Sequence, residues 1–269
     1  MHANAVFCAQ TVQGTAIRNL FELMKDVLVE SNIVATADGL RLIAIDSSQC
    51  VVTSVQLQAS SFEYYACTHR TVLGVNLANM YKLVKSASNN DVVTLWTYMH
   101  EDVLHISIEN LEKGSKTEYK LKLLDIDEAP IEPPSCKFEY IISLPASEFQ
   151  RMVRDMAMLA TTVHIKNDET SLTLMCNGEY ADQSTVLTVN QNLMISRTGV
   201  EPLESAFNAM APLYNEYSLR YLIMFARGSS LSANVQLYMQ RGMPLIMSFN
   251  AATLGKVLFC LGPLEQQID

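Results

Sequence analysis

The side chains able to do chemistry in this chain are few and scattered. Its five histidines are His2, His69, His100, His105 and His164. The nearest approaches to metal-ligand spacing are Cys67-x-His69 and His100 with His105, and each lacks a second ligand pair. The six cysteines, at 8, 50, 67, 136, 176 and 260, form no C-x-x-C pair, so they read as buried reduced thiols. The acidic run Asp125-Ile126-Asp127-Glu128 has the composition of a metal-dependent nuclease site, but it borders a proline-rich stretch and reads as solvated loop. No P-loop, G-x-S-x-G or H-E-x-x-H motif is present. Motif absence is by itself weak evidence against an enzyme; neither a metal nor a cofactor is expected. The remaining chemistry is that of fixed positive charge, carried by Arg18, Lys25, Lys82, Lys85, Arg151, Arg154, Arg220 and Arg227.

Those eight fall two by two on four helical patterns. Residues 14–30 place Ile17, Leu20, Phe21, Met24 and Leu28 on one face, with Arg18 and Lys25 on another. Residues 76–87 align Leu77, Met80, Tyr81 and Val84 away from Lys82 and Lys85. Residues 147–159 set Phe149, Met152, Val153 and Met156 against Arg151 and Arg154. Residues 216–228 set Leu219, Leu222 and Ile223 against Arg220 and Arg227. The chain holds 19 Lys+Arg against 28 Asp+Glu, a net charge of −9. That balance argues against an ordinary basic nucleic-acid binder. Cations held on equivalent helix faces of an acidic chain have two readings: they solvate the helix surfaces, or they form a segregated surface that meets phosphates without reading bases, the reading that their four-fold recurrence favours.

The helices are embedded in strand signals. Residues 14–46 and 147–177 both read helix, strand, turn, strand. A second helix recurs in each half, before the alternating strands 92–98 and 234–240. Further strands are expected at 50–58, 103–109, 119–127, 184–191 and 244–250. Pro130, Pro133 and Pro134 break the chain near its midpoint. The reading is an internally duplicated, β-rich α+β fold: a domain over 1–127, a connector over 128–137 and a second domain over 138–269. The composition, 49% hydrophobic and 17% charged, excludes a disordered chain. The first residues lack the features of a signal peptide, and no apolar run is long enough to span a membrane. An intracellular protein is expected.

The segments DGLRLIAIDSSQCVVTSVQL, GVNLANMYKLVKSASNNDVVTLW, YKLKLLDID, LPASEFQRMVRDM and YSLRYLIMFA, with VQG at 12–14 and LRYL at 219–222, resemble the eukaryotic sliding clamps of the proliferating cell nuclear antigen family. The resemblance runs from about Phe7 to Pro263. It implies a homotrimeric ring of two-domain subunits, a processivity factor that encircles double-stranded DNA irrespective of sequence. A separate ATP-dependent clamp loader would open it. The eight cations above match the DNA-facing set, with Asn19 and Met158 standing where further polar or basic residues are common. Partner peptides, those of DNA polymerase and of other replication and repair proteins, would dock at Ile45, Val52, Ile131, Pro244, Cys260, Gly262, Pro263 and Leu264. Cys260 replaces a usual aromatic there. Subunits would join through edge strands at 114–122 and 180–188, with Tyr119, Leu121, Tyr180, Thr185 and Leu187 in the joint. Lys116, Lys120 and Lys122 serve equally as edge protection in a monomer. Glu169 ends a loop where the family carries a modifiable lysine. The expected location is a nucleus, or a cytoplasmic replication site for a viral member. Two other readings stand beside this one: a monomeric or dimeric polymerase accessory protein, and a β-rich enzyme with an unrecognised site.

Overall fold

A computed structural model describes residues 4–89, 91–127, 138–168, 170–198, 213–240 and 243–264. The connector 128–137 and Glu169 lie outside these. The chain divides into two units, one comprising 1–133 with 250–257, the other 134–249 with 258–269.

In the first unit the order is β1 (Ala5–Thr11), α1 (Gly14–Val27), β2 (Glu30–Thr36), β3 (Gly39–Ile45), β4 (Val51–Gln58), β5 (Tyr64–Cys67), β6 (Thr71–Asn76), α2 (Leu77–Val84), β7 (Asp91–Tyr98), β8 (Val103–Asn110) and β9 (Ser115–Lys122). One sheet runs β5-β1-β7-β8-β9, and β4-β3-β2-β6 are neighbours in another. The rest of the chain repeats this order: β10 (Tyr140–Pro145), α3 (Ala146–Ala157), β11 (Thr162–Asn167), β12 (Ser171–Asn177), β13 (Asp182–Thr188), β14 (Met194–Arg197), β15 (Leu213–Ser218), α4 (Leu219–Ala226), β16 (Asn234–Met239), β17 (Leu245–Ala251) and β18 (Gly255–Leu261), all in the second unit except 250–257, which group with the first. Here β14-β10-β16-β17 are neighbours, and β13-β12-β11-β15 form a four-stranded sheet. The internal duplication read from the sequence is present element for element. The pairs β1–β5, β2–β3, β8–β9 and β12–β13 are antiparallel, as the short connections of the last three allow.

The apolar faces expected of the helices are the buried ones, except that Tyr81 of α2 and Ile223 of α4 are only half-buried. Ile17, Leu20, Phe21 and Met24 of α1, Leu77, Met80 and Val84 of α2, and Phe149, Met152, Val153 and Met156 of α3 are all under 9% exposed. In the second unit Phe225 of α4 stacks face to face on Phe259 with centroids 4.5 Å apart, and Phe249 meets Phe259 edge-on. Gly228, just past α4, is needed there, because a Cβ would fall 2.7 Å from the Phe249 ring.

Several expectations are corrected. The fourth helix begins at Leu219, because Glu216, Tyr217 and Ser218 extend β15 and pair with Thr162, Val163 and His164 of β11. The strand expected over 119–127 ends at Lys122, and the one expected from 180 begins at Asp182. The cysteines are not uniformly buried: Cys8 and Cys176 are, Cys67 and Cys260 are half-buried and Cys50 is exposed in the β3–β4 turn. Among the described residues, no helix is long and apolar enough to cross a membrane, and no group of three or more His, Cys, Asp or Glu is placed to hold a metal ion.

Candidate nucleic-acid and partner interface

The two helices of each unit lie side by side, α1 with α2 and α3 with α4. The first pair is fixed at its ends. Asn76 caps α2 by accepting the Asn79 N–H at 3.0 Å. After α2, the Asp91 carboxylate accepts the Ser88 N–H and hydroxyl, each at 2.8 Å, and the Asn110 amide at 2.5 Å. Gly14, the first residue of α1, sits against this turn, so that a Cβ would lie 2.6 Å from the Ser88 carbonyl. Burial alone would raise the Asp91 pKa, but the Ser88 and Asn110 hydrogen bonds prevail and hold it below the ordinary carboxylate value. A depressed folded-state pKa contributes stability that is present above the unfolded value and is lost as pH falls through the folded one. Asp91→Asn should therefore be less stable at neutral pH, and should lose less of its remaining stability on acidification below about pH 4. Urea unfolding of both proteins across pH 3–7 checks this.

The eight cations are not equally available. Lys82, Lys85, Arg151, Arg154, Arg220 and Arg227 are exposed, whereas Arg18 and Lys25 are half-buried. Arg18 donates to Asn19 Oδ1 at 3.2 Å and to the Ala87 carbonyl at 3.3 Å. Lys25 pairs with Asp26 at 2.8 Å and lies 5.1 Å from the Tyr81 ring centroid. The free cations of α1 expected from the helical pattern are thus engaged by neighbours. Lys82 donates to Asn79 at 3.2 Å, and Arg220 lies over the Tyr221 ring. Lys85 is the C-cap of α2, and Arg227 opens the short 3-10 turn that follows α4. Arg151 and Arg154 stand exposed on α3 without a recorded partner among the described residues. Asn19 is buried at 8% exposure, so its position does not offer a further cation site, while Met158 at the α3 C-cap is 71% exposed. Asn79 and Tyr221 are not singled out by the sequence, and Tyr81 is placed by it only on the apolar face of α2, although Asn79 has the i, i+3 spacing to Lys82 that brings helix side chains together.

The other expected sites fall as follows. Ile45 is 44% exposed and lies opposite half-buried Val52 across β3 and β4. In the second unit Pro244 and Cys260 are half-buried, and Gly262 has open space where a Cβ would be. Pro263 and Leu264 are exposed, and the Leu264 N–H donates to the Glu216 carbonyl at 2.9 Å. Next to Glu216, burial pushes the Tyr217 phenol up to about 12. Ile131 lies outside the described residues. Tyr119 and Leu121 are half-buried on β9, which pairs on one side with β8 and forms an outer edge of its sheet. Thr185 and Leu187 are half-buried on β13, the edge beyond β12. Tyr180 precedes that strand, 76% exposed, and its hydroxyl donates to the Met158 carbonyl.

Comparison with known proteins accounts for this arrangement. Residues 6–130 match the model for the proliferating cell nuclear antigen N-terminal domain, and residues 132–264 match that for its C-terminal domain. The chain is 33% identical over 267 residues to the probable DNA polymerase sliding clamp 1 of Paramecium bursaria Chlorella virus 1, covering 97% of this chain and 98% of that one. It is 28% identical over 255 residues to the proliferating cell nuclear antigen of Chaetomium thermophilum, covering 95% and 96%. With both family domains matched in order along two structurally repeated units, the chain belongs to the proliferating cell nuclear antigen family of DNA sliding clamps.

Proposed function

We propose that this protein is a non-catalytic processivity factor that closes as a homotrimer around double-stranded DNA. It holds the duplex through phosphate contacts from Lys82, Lys85, Arg151, Arg154, Arg220 and Arg227, with Arg18 and Lys25 contributing less. Its two clamp domains, 1–127 and 138–269, are joined by the connector 128–137. DNA polymerase and other replication proteins dock at Ile45, Val52, Ile131, Pro244, Cys260, Gly262, Pro263 and Leu264. An ATP-dependent loader opens the ring, and the protein acts where DNA is replicated, in a nucleus or at a cytoplasmic replication site.

The observation that carries this reading is the repeated helix pair, apolar on the buried side, with exposed cations on or at the ends of α2, α3 and α4, within an acidic chain. Cations without base-reading groups attract every duplex alike and permit movement along it. Assembly is supported by the edges. Within the first unit the β4 edge is met by its own chain, the Gln58 N–H donating to the Leu254 carbonyl at 2.9 Å. Gly255 lies so close there that a Cβ would be 1.9 Å from the Gln56 carbonyl. The equivalent strand of the second unit, β13, has no strand beyond it among the described residues. Such edges are ordinarily paired or protected, and a second copy offering β9 would pair this one.

The test uses Arg151→Ala/Arg154→Ala. Affinity for linear duplex DNA should fall at least about tenfold for every sequence tried, and the slope of log affinity against log salt should drop by about 2 for each subunit that engages the duplex, about 5 if all three do. Fluorescence anisotropy over a salt series reads both. A loss confined to one sequence, or an unchanged slope, refutes the phosphate-only reading.

A further inference from the structure

The solvent side of the first unit's β4-β3-β2-β6 sheet carries charge that DNA encirclement does not use. Side chains alternate along β3, so Arg41, Ile43 and Ile45 face out while Leu40, Leu42 and Ala44 are buried. The register sets Arg41 between Val34 of β2 and Gln56 of β4, and sets Val34 opposite Val72 of β6. Here the sheet floors a groove of about 770 Å³, to which Arg70 at the turn into β6 also contributes. The floor is mixed: apolar Val34, Ile43 and Val72, the last 43% exposed, stand among polar Asn32, Thr36 and Gln56. One wall is the segment leading to Ile126, another lining residue. That wall is tied down twice: the Leu124 N–H donates to the Gly74 carbonyl at 2.8 Å, and the Asn32 amide donates to the Ile126 carbonyl at 2.9 Å.

Arg41 and Arg70 are both exposed, and neither guanidinium makes an ion pair or hydrogen bond among the described residues. Asp38, the acidic residue of the lining, pairs with neither. Two unengaged guanidinium groups over a floor with an apolar patch suit a ligand that is anionic and apolar by turns.

We propose that this groove takes an extended acidic peptide segment of a partner protein, with carboxylates on Arg41 and Arg70 and apolar side chains on the Val34–Ile43–Val72 floor. A guanidinium matches a carboxylate with two parallel hydrogen bonds. An extended chain presents every second side chain to the same surface, as the sheet beneath it does. In a chain of net charge −9, general repulsion of acidic partners is reversed locally at this patch, which makes it selective. No aromatic ring lines the groove, so a nucleic-acid base has nothing on which to stack. Ile45 continues the same row of β3, so the acidic segment would flank a docked partner motif. That last placement rests on the docking reading above; the binding of an acidic segment does not.

The probe is a fluorescein-labelled ten-residue peptide of alternating Glu and Val, which carries no docking motif, titrated into the full-length protein. Arg41→Gln/Arg70→Gln should weaken its binding at least about tenfold. A peptide with Lys in place of Glu should not bind, and Arg151→Ala/Arg154→Ala should leave binding unchanged. The proposal is overturned if the Gln variant binds the peptide as tightly as the parent. It is also overturned if that variant loses affinity for a single-stranded oligonucleotide but not for the peptide. A tenfold gain of peptide affinity in Glu128→Gln/Glu132→Gln would assign the groove to the chain's own 128–137 segment instead. A docking-motif peptide that fails to bind while the acidic probe still does refutes the docking reading and supports this one.

Discussion

Leu187→Asp is expected to convert an assembly of three 30.0 kDa subunits into folded monomers. Leu187 lies on β13 opposite Leu172, half-buried within a strand whose far side meets no other strand among the described residues. A second copy pairing along that edge would bury the rest of the side chain. Losing a buried leucine removes about 1.5–3 kcal/mol. An unpaired carboxylate placed there adds a desolvation cost of comparable or larger size. Together they should weaken each joint by about a hundredfold or more, and sedimentation across a dilution series measures it. The fold should survive, because Leu187 is already partly exposed in the single chain, and an unchanged circular dichroism spectrum would confirm that. Leu121→Asp on β9 should do the same from the other side of the joint. A mass that stays at three subunits in both variants would move the interface away from these edges.

Phe225→Ala should produce the largest loss of stability. Phe225 and Phe259 are fully buried and lie in nearly parallel planes, 4° apart. Removing one ring leaves a cavity that α4 cannot close without moving its neighbours, since Leu222 and Leu219 are equally buried. The expected cost is about 3–5 kcal/mol. For a chain of this size that corresponds to a fall in Tm of about 10 °C. Because the affected core belongs to the second unit, unfolding should also become less cooperative, with an early transition resolved by calorimetry. A single transition with an unshifted midpoint would mean that the stack contributes little.

The helices were legible because their apolar residues recur at the 3.6-residue period, which the buried faces of α1, α2 and α3 follow. Strands with a mixed pattern were not. Residues Ala5–Thr11 form β1, buried on both sides over most of their length, so no alternation marks them. The four residues of β14 are too short to signal anything. The start of α4 was misplaced because Glu216–Ser218 are fixed as strand by partners more than fifty residues away in β11. At the candidate site, residue types could be read but not their availability. Arg18 has the spacing of an exposed helical cation, yet it reaches the Ala87 carbonyl, a group brought near only when α2 lies beside α1. The outward row of Arg41 and Ile43 is ordinary strand alternation until the register aligns it with Val34 and Val72.

The repetition of one unit by the other has a stoichiometric consequence. Strands β3 and β12 occupy the same place in the two repeats, each seven residues long. Counted from their first residues, Arg41 corresponds to Thr173 and Ile45 to Asn177. Thr173 is uncharged and only 8% exposed, so the second repeat does not repeat the Arg41 position, and its cation there is Lys166, opposite Thr173 on β11 where the first repeat has Val34. A trimer would therefore hold six copies of the repeat but only three of these recognition surfaces. Its valency for such partners is three, set by divergence between the repeats rather than by the number of folded units, and a fourth partner must wait for one of the first three to leave.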